Sequence, residues 1–278
     1  EGRYFTSTQT YLLENLEEFP CSCSICNQYT PTELLQQNKN EQKKALAKHN
    51  LYVCQAEMRL IREAIRTGSL WELIEKRALA HPLIKRGFNI LKNQSQIFIK
   101  NTPFSKQKGI FMVSNNSIVR PEVLAHKKKI GNILQKKKKN LLLISLLDIV
   151  IDDTFNFLQQ INSLVAKEKV FLTEYEIWIL DDYFGIIPLE LIEVFPLIQY
   201  LGSNDLSKLS REKNLQIIMK HIKQNSFDKI IGIGNLRLFN KYYQKKPIFQ
   251  KRNLIIETYN CTNFDDFLLE IKLIIEEL

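Results

Sequence analysis

Cys21, Cys23 and Cys26 fall within six residues, and His49 stands 23 positions after the last of them. Three thiolates and one imidazole complete the closed, four-coordinate shell of a structural zinc site, leaving no position for the water that catalytic zinc keeps. A Cys-x-Cys-x-x-Cys turn can gather three sulfurs around one ion, while a helix presents the fourth ligand from a rigid base. The competing reading, free or core thiols beside an unrelated histidine, suits a lone cysteine pair better than this pattern. One Zn(2+) per chain is therefore expected, with metal binding coupled to folding. Cys54 and Cys261 lie outside the pattern and read as ordinary core thiols. His81, His126 and His221 have no ligand-like neighbours in sequence and read as surface or capping residues.

The other chemistry-bearing groups carry weaker signals. Asp152-Asp153 and Asp181-Asp182 sit at strand ends and read as solvated loop carboxylates, so no catalytic residue is assigned to this chain. Gly232-Ile233-Gly234 comes after a strand, but two glycines without a third favour close packing over a phosphate turn. Lys127, Lys128 and Lys129, with Lys136, Lys137, Lys138 and Lys139, form two basic runs that suit either nucleic-acid phosphates or a solvated face and linker. No aromatic residues are interleaved with them, so no base-stacking platform is apparent.

The elements that position these groups are set by periodicity. Residues 11–18 read as a short helix closed by Phe19-Pro20. Thr30-Pro31-Thr32-Glu33 reads as a helix start with a capping box. Leu46, Leu51, Val53, Met58, Ile61 and Ile65 recur at helical spacing, predicting a long amphipathic helix over 41–66 with Gly68 as its cap. A further helix over 69–80 stops at His81-Pro82. Beyond the lysine run the pattern changes to apolar strands at 141–151, 177–180, 229–233 and 254–258. These alternate with helices at 154–166, 188–194, 207–224 and 264–277, the signature of a parallel sheet covered on both faces. The expected division is 1–135 and 136–278.

The chain has 278 residues, 45% hydrophobic and 25% charged, with a formal net charge of +9. Its length suits two domains, and its basic balance is consistent with a nucleic-acid partner. No apolar stretch approaches the roughly 20 residues of a membrane span. The first residues lack the pattern of a signal peptide, and the clustered cysteines argue for metal binding in a reducing compartment. A cytoplasmic protein is expected, and the lack of an initiator Met is read as a segment of something longer.

The segments Gly2-Arg3-Tyr4, Phe19-Pro20-Cys21-Ser22-Cys23-Ser24-Ile25-Cys26, Tyr29-Thr30-Pro31 and His49-Asn50-Leu51 keep one order and spacing with Leu70-Trp71-Glu72-Leu73, Arg77-Ala78 and His81-Pro82. Together they resemble the archaeal (archaeosine) tRNA-guanine transglycosylase family, over about the first 120 residues. The resemblance implies an α/β protein: the end of a TIM-like barrel with a helical zinc subdomain, then a three-layer α/β domain with a mostly parallel sheet. It implies a glycosyltransferase in archaeosine biosynthesis, exchanging a guanine of the tRNA D-loop through a covalent link between an Asp and the ribose. In the family both active-site carboxylates lie upstream of the matched region. It also implies tRNA as partner and association as a homodimer, or as a heteromer with a catalytic paralogue.

Residues 184–200 look like the α/β domain of archaeosine synthase-type paralogues. Where those relatives carry a Pro-Cys-x-x-Lys-Pro-Tyr-like motif, this chain has Ser145-Leu146-Leu147-Asp148, which disfavours the synthase reaction. The alternative to a transglycosylase is a non-catalytic relative that binds tRNA or holds a catalytic paralogue.

Overall fold

A computed structural model describes residues 2–103, 105–134, 138–146, 154–194, 196–202, 208–236, 255–259, 261 and 264–276. They fall into two compact units, Glu1–Asn93 and Gln94–Leu278. The fold is mixed α/β with a mostly parallel sheet, as expected.

The first unit opens with a hairpin, β1 (Arg3–Phe5) against β2 (Thr10–Leu12). The turn is closed by Thr6, whose hydroxyl accepts the Gln9 N–H (3.0 Å) and whose N–H donates to the Gln9 carbonyl (2.9 Å). Tyr11 and Leu12 thus pair with β1 instead of opening a helix; only Leu13–Asn15 makes a single 3₁₀ turn. Helix α1 (Pro31–Gln36) begins with the expected box: Glu33 N–H donates to the Thr30 hydroxyl, and Thr30 N–H donates to the Glu33 carboxylate at 2.7 Å. Helix α2 (Lys39–Thr67) ends at Gly68, which adopts φ +73°, the left-handed conformation that a helix cap requires and glycine adopts without strain. Gln42 links the two helices by donating to the Leu35 and Gln37 carbonyls that end α1. Only the first three turns of α2 and Ala64 are buried, and Leu51, Met58, Leu60 and Ile65 are exposed. Helix α3 (Leu70–Ala80) is tied to α2 by a bidentate Arg77–Glu57 pair at 2.7 and 2.8 Å. Helix α4 (Pro82–Asn93) packs Phe88 against Trp71. His81 caps its start, accepting the Leu83 N–H on Nδ1.

The second unit comprises helices α5 (Ser95–Asn101), α6 (Pro121–Ile133), α7 (Thr154–Lys167), α8 (Lys169–Glu174), α9 (Lys208–Asn225) and α10 (Phe264–Glu276) among its described residues. Strands β4 (Asn140–Ser145), β5 (Tyr175–Asp181), β6 (Gly185–Pro188), β8 (Lys229–Gly234) and β9 (Ile255–Tyr259) form one sheet in the order β6-β5-β4-β8-β9, parallel except for β6. A separate pair, β3 (Ile110–Met112) and β7 (Tyr200–Gly202), is also parallel. Strand alternation sorts the core into two layers. Leu142, Ile144, Ile179 and Ile233 face Phe157 and Ile161 of α7 and Phe267 and Ile271 of α10. Leu141, Leu143, Trp178 and Ile230 face Ile130 of α6 and Leu215, Ile218 and Ile222 of α9. Helices cover both faces, the expected three-layer arrangement.

One local expectation differs in this unit. In place of a helix over 188–194, Pro188 ends the antiparallel edge strand β6, which sets Trp178 opposite Pro188 and Asp181 opposite Gly185, and Leu189–Leu191 is a 3₁₀ turn. An edge strand tolerates Pro188 because one of its sides makes no ladder bonds. The compact units divide at residues 93 and 94, because α6 contributes Val123, Ile130 and Leu134 beside it to the sheet's two cores. The lysine run lies just before β4, and residues 135–137 and 147–153 are outside the described residues. A Cβ at Gly234 (φ +97°) would collide with the Ser145 carbonyl oxygen and the Phe267 ring, so this glycine serves close packing.

Candidate metal centre

The cysteine loop comes after the 3₁₀ turn that ends β2, and His49 stands on the third turn of α2. The loop is shaped by its own backbone: the Asn27 N–H reaches the Cys23 carbonyl at 3.0 Å, and the Gln28 and Tyr29 N–H groups share the Ile25 carbonyl at 3.1 Å. One ligand atom from each of Cys21, Cys23, Cys26 and His49 lies within 4.8 Å of all the others, a group that could hold a metal ion. The Cys23 and Cys26 sulfurs are 3.6 Å apart, and His49 Nδ1 is 3.5 and 3.4 Å from them. A tetrahedral shell with Zn–S near 2.3 Å and Zn–N near 2.0–2.1 Å sets about 3.8 Å between sulfurs and about 3.6 Å from sulfur to nitrogen. The residues fit an ion of that size and preference for soft ligands.

The surroundings orient the ligands. His49 is fully buried, and its Nε2–H donates to the Phe5 carbonyl of β1 at 2.9 Å, which leaves the Nδ1 lone pair toward the sulfurs. The next residue repeats the tie: Asn50 accepts the Phe5 N–H and donates to the Arg3 carbonyl, both at 2.9 Å. Tyr4 stacks on the imidazole (3.8 Å between centroids, 13° between planes), and its hydroxyl lies 3.3 Å from the Cys26 sulfur. Phe19 in turn stacks on Tyr4, with ring centroids 5.0 Å apart. Burial raises the Cys26 thiol to about 12, helped by the neighbouring sulfurs of Cys23 and Cys21 and opposed by the Tyr4 hydroxyl. Burial also acts on Cys23, but the Cys26 backbone N–H and the His49 ring outweigh it and bring that thiol down to about 7. Crowded sulfurs that resist ionising together are the electrostatic setting a cation relieves.

The remaining predicted groups scatter. Lys127 turns inward and donates to Asn214 Oδ1 at 2.7 Å, and Lys138 donates to the Tyr175 carbonyl at 2.9 Å. Lys128, Lys129 and Lys139 are exposed, while Lys136 and Lys137 lie outside the described residues, as do Asp152 and Asp153. Asp181 is not solvated as expected. It is buried, accepts the Tyr183 and Phe184 N–H groups at 2.8 and 2.7 Å and the Tyr200 hydroxyl at 2.6 Å, and burial raises its carboxyl to about 6. His126 is a core residue bonded to the Ile186 carbonyl at 2.7 Å, and His221 is buried against Gly131, so neither is a surface group. Cys261 is buried as expected, whereas Cys54 is exposed on α2, because its helix face has no partner within the unit. Sequence reasoning missed the supporting shell of Tyr4, Phe19 and Asn50. The available signal was that Tyr4, Phe19 and Asn50 all lie in the segments that carry the family resemblance.

Comparison with known proteins places the cluster in context. Residues 1–83 match the family model for queuine tRNA-ribosyltransferase. The tRNA-guanine(15) transglycosylase of Saccharolobus solfataricus is 34% identical over 233 residues, covering 83% of this chain and 45% of that protein. The protein of the same name from Methanocaldococcus jannaschii is 32% identical over 255 residues, covering 87% of this chain and 36% of its own length. That of Methanococcus aeolicus is 30% identical over 281 residues and covers the whole chain and 40% of the relative. The chain thus spans less than half the length of these curated relatives. The likeness also runs past the first 120 residues into the α/β unit.

Proposed function

By sequence the chain is a relative of the archaeal tRNA-guanine transglycosylases, and we propose that it serves the same reaction, exchange of a guanine base in tRNA during archaeosine formation. The observation that carries this reading is the Cys₃His cluster inside the stretch matched by the family model, with collinear similarity through the α/β unit. In this reading Cys21, Cys23, Cys26 and His49 hold one zinc ion, and the ion supplies no chemistry beyond fixing the cysteine loop to α2 and β1. Residues 1–135 would close the end of a TIM-like barrel with its zinc subdomain, and the α/β domain, taken as 136–278, would come after them. The exchange needs a carboxylate nucleophile and a carboxylate base. Neither is assigned to this chain; the buried, fully bonded Asp181 has the wrong surroundings for a nucleophile.

The partner would be tRNA, in the cytoplasm, with a second copy or a catalytic paralogue completing the assembly. Among the described residues no helix is long and apolar enough to cross a membrane.

The test is incorporation of radiolabelled guanine into unmodified archaeal tRNA by the full-length protein, with tRNA binding measured separately. Incorporation supports the reading. Binding without incorporation transfers the chain to a non-catalytic, tRNA-presenting relative; neither binding nor incorporation ends both readings.

A further inference from the structure

The helices on the two faces of the α/β sheet differ in the charge that their sequences supply. Helices α6 and α9 lie side by side on one face, in contact through Lys127–Asn214 and through Gly131 against the His221 ring, and their inner residues share one core. Along α9 the sequence supplies Lys208, Arg211, Lys213, Lys220 and Lys223 against Glu212 alone. The one acid of α6, Glu122, is buried beneath Arg120 and Lys106, whose charges hold it ionised in spite of its burial. The outer surface of this layer therefore presents Lys128, Lys129, Lys220 and Lys223, all exposed, against the exposed Glu212. Lys128, Lys220 and Lys223 form no ion pair with any described residue. For the helices of the opposite face the sequence supplies Asp265, Asp266, Glu270 and Glu276 against Lys272 along α10, and only Lys167 along α7; of these Asp266, Lys272 and Lys167 are exposed. Of the four long helices that cover the sheet, α9 is thus the most basic and α10 the most acidic by sequence.

We infer that the α6–α9 layer binds the sugar–phosphate backbone of tRNA, with Lys128, Lys129, Lys220 and Lys223 as its contacts; the choice of tRNA among polyanions rests on the function proposed above. Neither helix carries a Phe, Tyr or Trp, so the surface they present suits phosphates and not bases. Binding there is electrostatic and sequence-independent, and it releases counterions in proportion to the phosphates neutralised. Lys127 is no part of it, because its ammonium is held by Asn214.

The test compares full-length, zinc-loaded protein carrying K128Q, K129Q, K220Q and K223Q with a control carrying K167Q and K272Q on the opposite face. Dissociation constants for tRNA are measured between 50 and 200 mM salt, with circular dichroism confirming that both variants keep the fold. The four-lysine variant is expected to lower the slope of log K against log salt by about 3 to 4, with the control unchanged. An equal effect of both variants, or an unchanged slope in the first, overturns the assignment. So does lysine-dependent binding to phosphatidylserine vesicles without tRNA binding, which would make the layer a membrane surface. Lysine-dependent tRNA binding without guanine exchange keeps the assignment while refuting the transglycosylase reading, so the two fail separately.

Discussion

In the first unit, Tyr4, Leu13, Ile25, Leu34, Ala45 and Leu46 form a small core around the ligand cluster. The second unit sandwiches a five-stranded sheet between two far larger apolar layers. Burial of that extent holds a sheet together unaided, whereas six side chains fall short of what a loop with little regular structure needs. The difference teaches that, with zinc held as proposed, the two halves depend on different conditions: the first on a cation and on deprotonated sulfur, the second on packing. Each can be broken without the other.

The largest effect is expected at the ligands. Cys23→Ser or chelation should abolish zinc, measured by mass spectrometry, and remove the first unit's melting transition, since structural zinc contributes about 10–16 kcal/mol in small domains. The second transition should remain. A Cys23→Ser protein that keeps its metal and melts like the parent would refute the structural site. Next, Leu143→Ala empties a fully buried position in the sheet and should cost the second transition about 2–5 kcal/mol in denaturant melts, at unchanged zinc content.

Asp181 gives the second unit a pH dependence of its own. Burial raises its carboxyl from 3.8 to about 6 in the folded chain, so the folded state holds more protons than the unfolded state between those values. Stability of this unit should therefore fall as pH rises from about 4 to about 6. Asp181→Asn should flatten that slope relative to the parent, and an identical slope in both would remove Asp181 as its source. The smallest effect is Thr30→Ala, which removes one half of the capping box at α1 and should lower the first transition by about 1 kcal/mol.

What is legible in the sequence is whatever is settled by neighbours in the chain. The box at Thr30 and Glu33, the cap at Gly68 and the ligand spacing of the cysteine loop all depend on contacts within a few residues or one helix turn. The strands of the parallel sheet are legible because burial on both faces demands unbroken apolar runs such as 141–144. Pairing across the chain is not. Tyr11 and Leu12 have helical neighbours, yet β1 claims their backbone; Ile186, Ile187 and Pro188 are claimed by β5. Asp181 escapes a local reading for the same reason, since the Tyr200 hydroxyl that satisfies it lies 19 residues away. Cys54 shows the converse: a helical apolar stripe predicts a core, and its face carries no partner within the unit.

Helix α2 is a rod seated at one end. Its first turns are gripped by the cysteine loop, β1 and α1, while the next several turns run exposed until Ala64 and the Glu57–Arg77 strut meet α3. His49 and Gly68 stand about 28 Å apart along the axis at ~1.5 Å per residue. The ligand cluster is therefore the fulcrum of a lever. A tilt of about 5° at the imidazole, the scale of a small adjustment in ligand geometry, swings the far end by about 2–3 Å over that length. With zinc bound as proposed, the aim of α3 would thus depend on the stiffness of four ligand atoms as well as on the ties from Gln42 and Asn50.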